Sequence, residues 1–152
     1  RAESLPLPDR GLNFGDGLFE TLLFTQQGLV YQDLHLSRLQ AGITALGMPD
    51  CLDYVRQQLA LVSSHLCEEQ YTHCAVRATV TRGGGPRGYA PVSDCTARII
   101  ISASVMHGHY PAEQAPAALC VAKTAWSYQP QLVGIKHLMN GILMKFILPD
   151  VP

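Results

Sequence analysis

One lysine stands in an apolar setting near the end of the chain. Lys136 directly follows the stretch Leu132–Ile135, whose residues are apolar or glycine. A lysine that burial keeps neutral can attack a carbonyl carbon and form a Schiff base. The alternative is a lysine whose methylene stem packs on apolar neighbours while its ammonium group stays in water. The residue pattern by itself leaves both interpretations open.

Three arginines lie where they could bind an anionic ligand. Arg38 shares a face of a predicted helix with His35, and its guanidinium could bind a phosphate through two hydrogen bonds. Arg82 and Arg87 bracket a glycine-rich loop that continues to Tyr89, and this combination could bind a carboxylate. The alternative interpretations are a solvated helix arginine and a mobile loop tip.

Other kinds of site have little support in the sequence. The glycines within Asp9–Thr21 fit a tight turn as well as a ligand cradle, and they lack the spacing of a P-loop or a dinucleotide fingerprint. His107 and His109 have no carboxylate or cysteine at ligand spacing, so we expect no metal site. The serines form no G-x-S-x-G elbow, which argues against a serine hydrolase.

Composition narrows the class of protein further. The chain has 152 residues, with 11 basic against 12 acidic side chains, so it has no cationic surplus for nucleic acid. Polar residues interrupt its longest apolar run, Leu132–Leu148, which argues against a membrane span. Five scattered cysteines predict reduced thiols in a cytoplasmic protein. Only 15% of the residues are charged, which suggests that part of the surface meets another domain or subunit.

The first half of the chain predicts a hairpin followed by two helices. Apolar runs at Leu18–Phe24 and Leu29–Gln32 flank a short polar link, as in a β-hairpin. Apolar residues at helical spacing follow Asp33, a candidate N-cap, and continue to Gly47. A second helix with one apolar stripe follows Asp50.

The second half predicts three strands separated by loops. The strand-like segments are Cys74–Arg82, Ala97–Ser104 and Leu119–Lys123. Strands and helices do not alternate regularly, so we predict an α+β fold with a mainly antiparallel sheet and two helices.

Four motifs in this order resemble the fold type IV pyridoxal-phosphate enzymes, the class IV aminotransferase family. They are DRGLNFGDGLFET (Asp9–Thr21), HLSRL (His35–Leu39), TRGGGPRGY (Thr81–Tyr89) and GIKHL (Gly134–Leu138). The family includes branched-chain and D-amino-acid aminotransferases and aminodeoxychorismate lyases, and the last two motifs look most like those of the lyases. The resemblance spans most of the chain, from Asp9 to about Leu138.

The resemblance implies a cofactor and a division of roles. Lys136 would carry pyridoxal 5'-phosphate and shuttle protons, and Arg38 would bind the cofactor phosphate. Arg82, Arg87 and Tyr89 would line the substrate side. The implied reaction converts 4-amino-4-deoxychorismate to 4-aminobenzoate and pyruvate in folate biosynthesis, and the alternative is amino-group transfer. Either substrate is a small molecule, and the resemblance implies a homodimer.

The resemblance also predicts the domain organisation. We expect an N-terminal domain over residues 1–109, a linker over 110–117, and the start of a cofactor-binding domain with a lysine-bearing strand over 118–152. Family members continue well beyond this point, so the chain is expected to be truncated after the lysine motif. An inactive fragment without cofactor is therefore a further alternative. Asn140 also stands one position later after the lysine motif than the family pattern has it.

Overall fold

The computed structural model describes residues 4–91, 94–106 and 129–140. Helices are α1 (Arg10–Phe14), α2 (Gln32–Ala45) and α3 (Leu52–Glu68), and strands are β1 (Gly17–Thr25), β2 (Gly28–Leu29), β3 (His73–Thr81) and β4 (Arg98–Val105). The strands form one sheet in the order β2-β1-β3-β4, and every neighbouring pair is antiparallel. The predicted α+β class with a mainly antiparallel sheet is therefore confirmed.

The core forms where one face of the sheet meets α2 and α3. Alternate residues of β1 and β3 are buried, as expected for strands with one covered face. The buried apolar residues form one cluster, and burial of each Val, Leu, Ile or Phe side chain stabilises the fold by roughly 1.5–3 kcal/mol relative to exposure. Its members on the sheet and helices are Leu18, Leu22, Phe24, Leu36, Leu39, Ile43, Val55, Leu59, Leu66, Cys74, Val76, Ala78 and Val80.

Both predicted helices are present, but α2 begins differently from the prediction. Tyr31, with a left-handed φ of 52°, precedes the first turn, and Asp33 lies inside that turn instead of capping it. A carboxylate there still interacts favourably with the positive end of the helix dipole. The second hairpin strand, predicted over Leu29–Gln32, was too long, because pairing stops after the two residues of β2.

The sequence did not predict α1, which lies inside the glycine-rich cluster. Its first turn is held by Asp9, whose side-chain oxygen accepts a hydrogen bond from the Leu12 amide at 3.2 Å. Gly15 ends the helix with a left-handed φ of 66°, which a glycine adopts without strain. Gly11 therefore lies inside a helix and Gly15 ends it, where the sequence had suggested a tight turn or a ligand cradle.

Residues 129–140, called here the lysine segment, form no strand. Short 3₁₀ turns at Pro130–Leu132 and Leu138–Asn140 flank residues 133–137, which make one isolated bridge to the sheet through His137. The predicted lysine-bearing strand is thus reduced to a single paired residue. The predicted linker over 110–117 and the strand Leu119–Lys123 lie outside the described residues.

Two further findings bear on the compositional expectations. Within the described residues, no helix is both long and apolar enough to cross a bilayer. The described cysteines that carry free thiols are Cys51, Cys67, Cys74 and Cys95.

Candidate active site

The lysine segment docks on an open edge of β1. The short β2 pairs only with Phe24 and Thr25, so the other end of β1 has no strand on that side. There the Phe19 amide donates a hydrogen bond to the Lys136 carbonyl at 3.0 Å, and Leu18 and His137 form an antiparallel bridge. These main-chain contacts place Lys136 in register with the sheet despite more than a hundred residues of intervening sequence.

The Lys136 amine lies beside an aromatic ring that it shares with a second cation. Its Nζ is 4.8 Å from the centroid of the Phe19 ring, and the guanidinium carbon of Arg77 is 3.8 Å from the same centroid. Within the described residues, neither cation has a carboxylate at ion-pair distance. Two cations at one ring, without a local counter-charge, favour the approach of an anion.

Sequence reasoning missed Arg77, although a signal for it existed. Apolar residues occupy the alternate positions of β3 on either side of it, so a strand at Cys74–Arg82 places Arg77 on the face away from the core. Phe19 lies on the same face, because Thr79 and Phe19 are directly paired. The pairing register that joins them could not be derived from the sequence.

The opposite face of β1 carries a buried carboxylate. Glu20 is 2% exposed, and its two oxygens accept hydrogen bonds from the Arg38 Nε and Nη2, each at 2.6 Å. The His35 Nδ1 lies 2.7 Å from the same carboxylate. Burial raises the pKa of Glu20, but the hydrogen bonds from Arg38 and His35 outweigh it and hold that pKa below its usual value.

Arg38, the predicted phosphate ligand, keeps part of its guanidinium available. Its side chain is 43% exposed, and no hydrogen bond within the described part of the chain uses its Nη1. The hydrogen bonds to Glu20 also raise the pKa of Arg38, so the group stays cationic. A fixed cation with a free pair of N–H groups can bind a phosphate, which is the role that the resemblance implies for Arg38.

Arg82 is engaged elsewhere in the fold. Its Nε donates to Asp16 at 2.9 Å, its Nη1 to the Gly47 carbonyl at 2.9 Å and its Nη2 to the Leu46 carbonyl at 2.7 Å. These carbonyls lie at the end of α2, where an arginine satisfies main-chain acceptors left over by the helix. The arrangement is typical of an arginine that holds elements together, and a substrate contact by Arg82 stays a prediction.

Asp16 accepts hydrogen bonds from Arg82 and from a second buried arginine, Arg10, which also binds the glycine-rich loop. The Arg10 Nε donates to Asp16 at 2.8 Å, and its two terminal nitrogens donate to the carbonyls of Gly88 at 3.1 Å and Tyr89 at 2.7 Å. Burial raises the pKa of Asp16, but hydrogen bonds from Arg82 and Arg10 more than compensate, so that its pKa is lowered. The loop is thereby fixed at its far end.

The side chains presented by this loop face outward. Tyr89 is 86% exposed, with its ring centroid 5.4 Å from that of Phe14. Arg87 lines a shallow groove together with Asn13 and Phe14. Among the described residues, no hydrogen bond, ion pair or cation–π contact joins Arg87 or Tyr89 to Lys136, so their predicted substrate roles stay predictions.

His137, next to the lysine, is a buried residue that the sequence did not single out. It is 7% exposed, and its Nδ1 has no hydrogen-bond partner within the described residues. Burial lowers the pKa of His137, so the ring is held in its neutral form. Because residues paired across an antiparallel bridge share a face, His137 lies on the core side with Leu18, and Lys136 lies on the side of Phe19.

Comparison with known proteins identifies the family. Residues 17–145 match the model of the family described as amino-transferase class IV, which is most of the chain. The chain therefore belongs to the class IV aminotransferase family, as the four motifs predicted. This is the fold type IV group of pyridoxal-phosphate enzymes.

Two relatives are similar over most or all of the chain. The chain is 30% identical over 139 residues, 88% of its length, to an aminodeoxychorismate lyase of Vibrio harveyi, and covers 48% of that protein. A crystal structure of 4-amino-4-deoxychorismate lyase from Pseudomonas aeruginosa matches with a TM-score of 0.83 and 32% identity, over 100% of this chain and 54% of that one. The chain thus spans about half the length of these relatives.

A more distant structure is similar in fold alone. The branched-chain amino acid aminotransferase of Escherichia coli matches with a TM-score of 0.73 at 16% identity, over 98% of this chain and 51% of that one. This aminotransferase therefore shares the fold, so the fold by itself does not separate it from the two lyases.

Proposed function

We propose that the protein is a pyridoxal-phosphate-dependent lyase that converts 4-amino-4-deoxychorismate to 4-aminobenzoate and pyruvate. The observation that carries the proposal is the similarity of the whole chain to the 4-amino-4-deoxychorismate lyase structure of Pseudomonas aeruginosa. The Vibrio harveyi lyase supports the same assignment at a similar identity. The reaction belongs to folate biosynthesis, which makes a cytoplasmic location part of the proposal.

Lys136 and Arg38 are the residues that would hold the cofactor. Pyridoxal phosphate supplies an electron sink for bond cleavage at the substrate. Lys136 lies at a fixed position on the edge of β1, so its Nζ can remove the ring proton and later protonate the methylene carbon of the released group. Arg38 offers its Nη1 edge to the phosphate while Glu20 holds the other edge.

The charge of the site suits this substrate. Aminodeoxychorismate carries two carboxylates, and Arg77 and Lys136 provide two cations at the ring of Phe19. We propose that Arg87 and Tyr89 contact the substrate from the loop that Arg10 holds. Arg82 would act indirectly, because it binds Asp16, which also binds Arg10.

Amino-group transfer is the second candidate function, since the family name and the Escherichia coli structure are those of aminotransferases.

Cofactor attachment is tested first, with the purified protein and pyridoxal phosphate. We expect an absorbance band at about 410–430 nm, and borohydride reduction followed by peptide mapping should place the label on Lys136. Lys136→Arg should abolish both signals while the protein stays folded. Lys123→Arg and Lys145→Arg are matched controls that should keep them. A label on either control lysine, or no band at all, would contradict the proposed role of Lys136.

The reaction class is tested on the same preparation. Incubation with 4-amino-4-deoxychorismate should release pyruvate and 4-aminobenzoate in equal amounts. Amino-group transfer from an amino acid to a keto acid is measured in parallel and should be far slower. Faster amino-group transfer than pyruvate release would select the aminotransferase. The absence of both activities would favour the inactive fragment.

A further inference from the structure

Glu20 is a charged residue in a place where charge is costly. It lies between Leu18 and Leu22 on the covered face of β1, and only 2% of it is exposed. An unpaired carboxylate there would lose several kcal/mol of hydration, so its partners must compensate. Both oxygens are engaged, by two nitrogens of Arg38 and by His35. Both partners of the Glu20 carboxylate, Arg38 and His35, therefore belong to α2.

The contact fixes the orientation of Arg38. Two parallel hydrogen bonds between a guanidinium and a carboxylate hold the planar fork in one geometry, which a single bond does not. Because Glu20 takes the Nε and Nη2 edge, the Nη1 group is the part of the guanidinium that points away from the Glu20 carboxylate. An exposed arginine without such a partner samples many rotamers, and ordering them on binding reduces affinity.

We propose that Glu20 is a positioning residue that orients Arg38 for the phosphate group of the cofactor. The inference rests on the proposed function, because it requires Arg38 to meet a phosphate. Glu20 touches neither cofactor nor substrate in this arrangement and acts only through Arg38. The His35 Nδ1 lies 2.7 Å from the same carboxylate and adds a second contact from α2 that holds Glu20 facing the guanidinium.

Phe19, which precedes Glu20 in β1, connects the Glu20–Arg38 pair to Lys136. Phe19 contacts Lys136 through its amide and its ring, and Glu20 follows it directly on the other face of the strand. Consecutive residues of one strand thus support the amine that carries the cofactor and the cation that binds its phosphate. The rigid backbone of β1, paired with β3 along its length, sets the relation between the two.

The test compares pyridoxal phosphate with pyridoxal, which lacks the phosphate. Equilibrium affinities of both compounds are measured for the wild-type protein and for Glu20→Gln. In Glu20→Gln, the side-chain NH₂ group replaces one of the two accepting oxygens. It cannot accept a hydrogen bond from the guanidinium, so one of the two hydrogen bonds between residue 20 and Arg38 is lost. We expect the affinity for pyridoxal phosphate to fall about tenfold, as for loss of one hydrogen bond to a charged group, with pyridoxal affinity unchanged. Equal losses for both compounds, or no loss for either, would overturn the inference.

Further variants guard against a general folding defect. Glu20→Asp keeps the charge but withdraws it by one methylene, so it should reduce the affinity for pyridoxal phosphate less than Gln and also spare pyridoxal. Asp33→Asn is the matched control, because Asp33 forms an exposed ion pair with Arg56 at 3.1 Å and should leave both affinities unchanged. A reduced affinity in Asp33→Asn would contradict a role specific to Glu20.

Arg38→Ala separates the inference from the proposed function. It should remove the preference for pyridoxal phosphate, and adding Glu20→Gln to it should have no further effect. Unchanged affinity in Arg38→Ala would overturn the phosphate role of Arg38, and the inference with it. A loss in Arg38→Ala combined with full affinity in Glu20→Gln would overturn the inference alone.

Discussion

The charged residues of the candidate site are held by neighbours on β1 and α2: Glu20 by Arg38 and His35, and Lys136 by the main chain of Phe19. Lys136 stood out because a lysine after an apolar stretch is unusual, and Arg38 because it shared a helix face with His35. Glu20 was hidden in an apolar strand sequence, although its position between Leu18 and Leu22 in the alternation predicts burial. Its partners lie 15 and 18 residues away on α2, and no local pattern specifies that contact.

His137 gives the folded protein a pH dependence of its own. Its ring has an ordinary pKa of 6.5, which burial lowers in the folded state. Below pH 6.5 the unfolded chain therefore takes up a proton that the folded protein does not, and the free energy of unfolding falls with decreasing pH. The slope from this one group is at most about 1.4 kcal/mol per pH unit, and it ends below the folded pKa.

Replacing His137 should remove this part of the pH dependence. We expect His137→Asn to flatten the unfolding free energy between pH 6.5 and the lower folded pKa, as measured by urea denaturation at a series of pH values. His65→Gln, an exposed histidine on α3, is the control and should keep the wild-type slope. An unchanged slope in His137→Asn would show that the buried ring does not titrate as its surroundings predict.

At the scale of elements, apolar periodicity predicted the two long helices, whereas the short elements were not predictable from the sequence. The apolar spacing of α2 and α3 follows from one face packing on the sheet, so both were predictable from 14 and 17 residues of sequence. Helix α1 has five residues, too few for a period, and depends on Asp9 and Gly15 at its ends. The family resemblance implied a strand that carries Lys136, but the lysine segment pairs with β1 at a single bridge.

The close approach of β1 to β3 depends on Gly17, which has no side chain. A Cβ atom at Gly17 would lie 2.5 Å from the Val80 carbonyl oxygen and 2.8 Å from the Leu138 side chain. Because the first contact is with main chain, the strand would have to shift. We expect Gly17→Ala to lower the free energy of unfolding by about 1–3 kcal/mol in urea denaturation, the usual range for an overpacked site.

Gly84 is the control for this prediction. It lies in the loop after β3, and a Cβ atom there would have no neighbour within 4 Å. Gly84→Ala should change stability by less than about 0.5 kcal/mol, as for an exposed site. Comparable losses in the two variants would argue that chain flexibility matters here and the close approach of the strands does not.

For the molecule as a whole, we propose self-association as a homodimer. Only 15% of the residues are charged, and the start of α2 exposes Tyr31 and Leu34 at 73% and 69%. We expect the purified protein to sediment at twice its monomer mass, as the family resemblance implied. An interface that is mainly apolar should survive about 1 M salt, where ion pairs at a surface are screened. A monomer under all conditions, or a dimer that salt dissociates, would contradict this expectation.

The docking of the lysine segment has a consequence for the solubility of the folding chain. An unpaired strand edge offers its amide and carbonyl groups to any other extended chain and is a common starting point for aggregation. Between Gly17 and Leu22 the outer edge of β1 is such a surface, and the Phe19 amide finds its partner only in the Lys136 carbonyl. The contact that brings Lys136 to the candidate site therefore also covers part of this open edge, so that assembly of the site and protection of the edge of β1 occur together.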